Sequence, residues 1–122
     1  MSAAPQDPTN TNPIAVTAIF SENVSGFTNS DIVVTNGTSS GFTIVDGKNY
    51  TFNIIPTADG VVTVNIPQNV SQDAATNGNT VSNTITRTFD ATRPTVSMSA
   101  APQDPTNTNP IAVSAIFSET VT

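Results

Sequence analysis

The chain has 122 residues, a length that suits one domain and leaves too little chain for two complete ones. Thr, Ser and Asn supply 21, 12 and 14 residues beside nine prolines, a composition that favours strands and turns over helix interiors. A net charge of −6, with three basic residues, excludes a nucleic-acid-binding surface, and the absence of Cys excludes disulfides and thiolate metal sites.

Short apolar runs with period-two alternation predict an all-β fold. Tyr50, Phe52 and Ile54 alternate with polar residues, as do Val62, Val64 and Ile66, and Asn-Gly and Asp-Gly pairs between the runs favour antiparallel connections. In chain order the predicted strands are Ile14–Phe20, Ile32–Thr35, Phe42–Val45, Tyr50–Ile55, Val61–Ile66, Val81–Phe89 and Thr95–Ala100. About seven strands in about 100 residues predict an antiparallel β-sandwich.

The two ends of the chain repeat each other. Ser2–Ser25 has the sequence SAAPQDPTNTNPIAVTAIFSENVS, and Ser99–Thr122 has SAAPQDPTNTNPIAVSAIFSETVT, so 21 of 24 positions are identical at an offset of 97 residues. Solenoid repeats have periods of about 20–50 residues, whereas one sandwich module takes about 100. We therefore expect residues 2–93 to form one repeat that lacks most of its first strand, and residues 94–122 to be the first two strands of the next.

The leading strand is thus out of phase, because Thr95–Ala100 has no full counterpart before Ser2. Two isolated strands are marginally stable in water, so the placement of the tail leaves three alternatives. The tail is frayed or packs on a neighbouring molecule, it fills the vacant strand of its own domain, or it completes another copy so that copies join head to tail. The donor residues in the last case are Thr95, Val96, Met98, Ile111, Val113, Ile116 and Phe117.

Four segments resemble the bacterial Ig-like repeats of large surface adhesins. They are SENVSGFTNSDIVVTNG (21–37), YTFNIIPTADGVVTVNIP (50–67), QDAATNGN (72–79) and FDATRPTV (89–96), and the resemblance covers essentially the whole chain. It implies an immunoglobulin-like sandwich that extends a protein away from the bacterial cell surface, with Asp90–Pro94 as the joint between repeats. The chain departs from the family pattern in its starting point, since these repeats normally begin with the first strand in place.

The sequence offers little for catalysis. It has no His, no Cys, one Lys and one Tyr, and its nine acidic residues are scattered through turns and linkers. We therefore expect no enzymatic activity, no catalytic residues and no required cofactor. No run approaches the roughly 20 apolar residues of a membrane helix, so we expect no membrane insertion by these residues.

Calcium is the cofactor that the oxygen-rich loops suggest, because hard cations prefer carboxylate and amide oxygens. The candidate ligands are Asp7, Glu22, Asp73, Asn77, Asp90 and Asp104. The segment that begins at Asp73 is not an EF-hand, since Ala75 and Thr84 occupy its third and twelfth positions. In the alternative interpretation, Asp73 and Asn77 bond to the backbone of their own turn and Gly78 permits a positive φ.

The predicted function is that of a non-enzymatic structural module of an extracellular bacterial surface protein, acting as an extender or as a filament-forming subunit. The alternative is an adhesive Ig-like module that binds a carbohydrate or protein ligand. Sugar binding would need exposed aromatic rings, and Phe27 and Phe42, which flank loops, are the candidates. Four Asn-x-Ser/Thr sequences match the number expected by chance, so they give glycan attachment no support.

Overall fold

A computed structural model describes all residues, 1–122, as two compact units, Met1–Ala91 (unit 1) and Thr92–Thr122 (unit 2). Both units are built from β-strands, and the one helical element is a 3-10 turn at Asn29–Asp31. In unit 1 the strands are β1 (Ser2–Ala3), β2 (Ile14–Ile19), β3 (Val33–Thr35), β4 (Gly37–Ile44), β5 (Asn49–Pro56), β6 (Gly60–Asn65) and β7 (Ile85–Phe89). Unit 2 contains β8 (Val96–Ala100) and β9 (Val113–Phe117).

Unit 1 contains two antiparallel sheets. The first has four strands in the order β1-β2-β5-β4, and the second has three in the order β3-β6-β7. Lettered A to G along the chain, the sheets are ABED and CFG, which is the arrangement of constant-type immunoglobulin domains. The predicted all-β, immunoglobulin-like sandwich of about seven strands is confirmed.

The core comes from the inward-facing residues of alternating strands, as the sequence pattern predicts. Tyr50, Phe52 and Ile54 on β5 are buried, and so are the inward residues of β2 and β6, namely Val16, Ala18, Val62 and Val64. Ile66, directly after β6, is buried with them. Ile19 and Ile55 fall on the other face of their strands and are exposed.

An aromatic cluster closes one part of this core. The rings of Phe20, Phe27, Phe42 and Tyr50 contact one another with centroids 5.1–5.8 Å apart, mostly edge to face. Phe27 is buried and Phe42 is half-buried, so neither is the exposed ring that its position beside a loop suggested. These rings therefore serve core packing.

Two predicted strands have different bounds in the structure. β4 begins at Gly37 instead of Phe42, because the backbone of Thr38–Ser40 pairs with β5 although these residues lack apolar alternation. A register shift follows at Gly41, whose φ is +61°. The second strand with different bounds is β7, which begins at Ile85 instead of Val81. Before it, the Ser82 hydroxyl accepts a hydrogen bond from the Ile66 backbone N–H in place of regular pairing.

The segment from Ser2 to Thr9 contacts both sheets. At its start β1 pairs with β2, while Thr9 forms a parallel bridge with Phe89 at the end of β7. Arg87 holds the crossing, since its Nε donates to the Pro5 carbonyl at 2.8 Å and Nη2 donates to the Ala3 carbonyl at 3.3 Å. The first strand therefore belongs to one sheet at its start and borders the other at its end.

Unit 2 is a single antiparallel hairpin. β8 and β9 pair over five residues, from Val96 opposite Phe117 to Ala100 opposite Val113. With the offset of 97, Ser99 and Ala100 pair as Ser2 and Ala3 do in β1. The hairpin thus repeats the β1–β2 pairing with a first strand that is three residues longer.

We expect Ile54→Ala to lower the free energy of unfolding by about 2–5 kcal/mol, because Ile54 is 0% exposed and its truncation leaves a cavity between the sheets. The matched control is Ile55→Ala, at a position that is 42% exposed, which should cost less than about 1 kcal/mol. Urea unfolding followed by circular dichroism measures both. Equal losses of unfolding free energy in the two variants would mean that the side chains of β5 do not alternate between core and solvent.

Candidate functional site

One sequence occupies two environments in this molecule. Ile14 and Val16 are each 2% exposed in unit 1, whereas their counterparts Ile111 and Val113 are 52% and 61% exposed in unit 2. Every residue of β8 and β9 is exposed. Unit 2 therefore presents, uncovered, an apolar face whose copy forms part of a sandwich core.

The predicted donor residues divide between the two faces of this hairpin. Val96 lies opposite Phe117, and Met98 lies opposite Ala115, while Ile111 and Val113 correspond to core residues of unit 1. Ile116 differs, because its counterpart Ile19 is 66% exposed in the complete sandwich and Ile116 itself is 67% exposed. Ile116 therefore belongs to the outward face, and it is not a residue that the core of a sandwich would bury.

Unit 1 contains a groove beside its first residue. This front groove has a volume of about 370 Å³, and its lining includes Met1, Ala18–Glu22, Asp73 and Asn77–Asn83. Its apolar lining includes Phe20, Val24 and Ile66. Val81, which also lines it, is exposed.

Asn83 binds the backbone at the end of the front groove. Its side-chain Oδ1 accepts a hydrogen bond from the Met1 nitrogen at 2.7 Å, and its Nδ2 donates to the Met1 carbonyl at 3.1 Å. One side-chain amide thus hydrogen-bonds both the terminal ammonium and the carbonyl of Met1.

Three of the six predicted calcium ligands, Glu22, Asp73 and Asn77, line the front groove, and the other three lie elsewhere. Asp73 and Asn77 share a turn, the Asp7 carboxylate accepts from the Thr88 backbone N–H, and Glu22 borders the front groove. Asp90 donates its backbone N–H to the Thr9 carbonyl at 2.9 Å, and Asp104 belongs to unit 2. The structure contains no group of three or more His, Cys, Asp or Glu residues able to hold a metal ion, and calcium binding stays a prediction.

The turn at Asp73 is closed by its own side chains. The Asp73 carboxylate accepts hydrogen bonds from the backbone N–H groups of Ala75 and Asn77, both at 2.8 Å, and from Asn77 Nδ2 at 2.9 Å. The expected positive φ is found at Thr76 (+68°), not at Gly78. Gly78 is required for a different reason, since a Cβ there would overlap the Asn69 side chain.

Two exposed carboxylates acquire lowered pKa values from such turns. The Asn77 side chain, and then its backbone N–H, hold the pKa of Asp73 below its usual value. The side chain of Asn49 and the backbone N–H groups of Lys48 and Asn49 lower the pKa of Asp46 in the same way. Both carboxylates therefore stabilise turns and need no further partner to stay ionised.

The fold defines the chain as an antiparallel β-sandwich of the immunoglobulin class. A family model described as bacterial Ig-like domain matches residues 2–89, and the chain belongs to this family. Such domains typically occur in extracellular and surface proteins and are generally non-enzymatic structural modules. No curated protein and no solved structure matches the chain.

The structure has no helix of the length and hydrophobicity that crossing a bilayer requires.

The sequence indicated the hairpin of unit 2 but not the front groove. The groove is formed by residues distant in sequence, Met1, Ala18–Glu22 and Val81–Asn83. One signal was available, because Val81 was assigned to a strand on its apolar character and is instead an exposed apolar residue beside the groove.

We expect acid to weaken unit 1 through Asp46 and Asp73. Because their folded-state pKa values lie below the ordinary 3.8, their contribution to stability is present above about pH 4 and is lost as the pH falls through the folded values. Asp73→Asn should flatten the acid side of the melting-temperature profile between pH 6 and about pH 2. Asp104→Asn, in unit 2, is the control and should leave the melting of unit 1 unchanged.

Proposed function

We propose that this chain is a structural repeat module of a bacterial extracellular surface protein, in which copies join head to tail through the C-terminal hairpin. The observation that supports it is that a core-forming sequence is buried in unit 1 and uncovered in unit 2. The C-terminal hairpin of one copy takes the place of β1 and β2 in the next copy.

The register of unit 1 defines the contacts of such a join. Ile14 lies opposite Ile54 and Val16 opposite Phe52, so Ile111 and Val113 of the donor would face the same residues of the acceptor. The three differences between the two segments, Thr17 against Ser114, Asn23 against Thr120 and Ser25 against Thr122, exchange only small polar residues. Exchange of a nearly identical element between copies needs no new interface, and for this reason it is a low-cost route to association.

The exchange also gives the acceptor a longer first strand. β1 contributes two paired residues, whereas β8 brings five. The contact is heterologous, because the hairpin of one copy meets the sandwich of the next. Repetition of the contact produces an open chain of modules, and this geometry suits an extender or a filament subunit.

The adhesive alternative receives no comparable support. Six of the seven aromatic residues are buried or half-buried in the sandwich of unit 1, and these are Phe20, Phe27, Phe42, Tyr50, Phe52 and Phe89. The seventh, Phe117, lies on the C-terminal hairpin. A sugar-stacking platform would need rings that are not engaged in packing.

A pair of isoleucines tests the proposal. Ile111→Asn should weaken association about tenfold to a hundredfold, because the join buries this side chain and loses about 1.5–3 kcal/mol. Ile116→Asn is the matched control at an exposed, outward position and should associate as the unsubstituted chain does. Sedimentation velocity over a range of concentrations measures both.

Both variants retain the sandwich, since Ile111 and Ile116 are exposed in the single chain. A concentration-independent monomer for the unsubstituted chain would contradict the head-to-tail join. Equal weakening by the two substitutions would contradict the assignment of the inward face.

A further inference from the structure

The chain contains the tripeptide Thr-Asn-Gly twice, at Thr35–Gly37 and at Thr76–Gly78. Asparagine is a thermolabile residue, and a following glycine has no side chain that keeps its backbone nitrogen away from the side-chain carbonyl carbon, Cγ, of that asparagine. Because the two tripeptides are identical, their intrinsic reactivity is matched. A difference in reactivity between them in the folded chain therefore comes from the structure around them.

The structure encloses the first Asn-Gly pair in the sandwich. Asn36 is half-buried, its carbonyl accepts from the Thr57 N–H at 3.1 Å, and its Nδ2 donates to the Ala58 carbonyl at 2.9 Å. Gly37 is the first residue of β4 and pairs with Pro56 on β5. Attack of the Gly37 nitrogen on Cγ of Asn36 turns the peptide between them, so it requires β4 to separate from β5 at this end.

The second Asn-Gly pair lies in a turn outside the strands, where Asn77 and Gly78 are both exposed. The Asp73 carboxylate holds Asn77 at two atoms, since Oδ1 accepts from the backbone N–H at 2.8 Å and Oδ2 accepts from Nδ2 at 2.9 Å. One isolated bridge, between Gln72 and Gly78, joins the pair to the neighbouring backbone. Opening of this turn alone frees Asn77, and a local opening costs less free energy than separation of core strands.

The turn itself requires both members of this exposed pair. A Cβ at position 78 would overlap the side chain of Asn69, so a residue with a side chain does not fit there unless Asn69 moves. Asn77 supplies the amide that donates to Asp73. The packing of the turn therefore keeps a reactive pair at its surface.

We infer that Asn77 is a site of spontaneous deamidation, and that the Asp73 carboxylate restrains the reaction by holding the Asn77 amide. The Gly78 nitrogen attacks Cγ of Asn77 and loses its proton, the bond between Cγ and Nδ2 breaks, and ammonia leaves. Water then opens the five-membered imide at one of its two carbonyls, which gives aspartate or isoaspartate. The reaction consumes water and involves no change of oxidation state.

The product weakens the turn in which it forms. A carboxylate at position 77 has no hydrogen to donate to Asp73, and it places a second negative charge beside the first. Isoaspartate also adds a methylene to the backbone before Gly78, which shifts the register of the Gln72–Gly78 bridge. The same shift affects Asn79, whose N–H donates to the Ser71 carbonyl at 3.0 Å. Deamidation therefore loosens this loop as the protein ages.

Peptide mapping of the full chain tests the inference, because trypsin separates the two pairs. Cleavage after Lys48 and Arg87 puts Asn36 on the peptide 1–48 and Asn77 on the peptide 49–87. The folded chain is incubated in mildly alkaline buffer, and mass spectrometry follows the conversion of amide to acid. We expect Asn77 to react about tenfold faster than Asn36. In concentrated urea, where the chain is unfolded, the two rates should agree within about twofold.

Two variants test the restraint and the consequence. Asp73→Ala removes both hydrogen bonds to the carboxylate, so it should speed the reaction of Asn77 about tenfold and leave that of Asn36 unchanged. Asn77→Asp reproduces one product and should lower the melting temperature of unit 1 by about 4 °C or more. Asn107→Asp, in unit 2, adds the same charge elsewhere and should leave the melting of unit 1 unchanged.

The contrary results are distinct for each part. Faster reaction at Asn36, or no reaction at Asn77, would overturn the assignment of the site. A reaction of Asn77 that is slower or unchanged in Asp73→Ala would overturn the restraint by the carboxylate. Unchanged melting of Asn77→Asp would overturn the effect on the loop. All of these measurements concern a single chain, so their outcome is independent of the proposed join between copies.

Discussion

The structure depends on the apolar contact that covers β5. Tyr50, Phe52 and Ile54 lie at the centre of the four-stranded sheet, and β2 borders them on one side while β4 borders them on the other. Their burial is possible only if β2 is present, because it supplies Ile14, Val16 and Ala18 to the same core. A chain of this composition has few charges and no disulfide, so the packing of the two sheets provides most of its stability.

This dependence explains why the duplicated segment matters. The segment that includes β2 is indispensable to a sandwich, and the chain contains it twice. In unit 2 the same residues form a two-stranded hairpin without a second sheet to cover them, an arrangement that is marginal for an isolated element in water. Closure of unit 1 by its own Thr95–Ala100 would require β8 to separate from β9. The reason is that β8 would pair with β2 in the same register, and through the same edge, as it pairs with β9.

Much of the fold could be predicted from local sequence, since burial in a sandwich imposes a period of two. The alternation in β5 and β6 identified inward residues that are buried. The start of β4 could not be found in this way, because Gly37–Ser40 pair through backbone groups and have no apolar alternation. Phe27 was misplaced because its burial depends on contacts with Phe20, Phe42 and Tyr50, which lie on other segments.

In the candidate site, too, some features could be predicted from the sequence and others could not. Repetition identified the hairpin of unit 2 as a second copy of a core-forming segment, and the exposure of Ile19 places its counterpart Ile116 on the outward face. The front groove could not be predicted, since it is lined by residues as far apart in sequence as Met1 and Asn83. The calcium ligands were predicted from residue type alone, and only the structure shows that Glu22, Asp73 and Asn77 line one groove.

The parallel bridge between Thr9 and Phe89 has a mechanical consequence for a module of an extended protein. The Thr9 N–H donates to the Thr88 carbonyl and the Thr9 carbonyl accepts from the Asp90 N–H, both at 2.9 Å, close to the point where the chain leaves unit 1. A tensile force applied at the two ends of this unit would pull neighbouring parallel segments in opposite directions along their length. Such a load acts on these hydrogen bonds in shear and strains them together, whereas a hairpin pulled open at its ends loses them one after another. The bridge therefore places resistance to stretching at the end of unit 1.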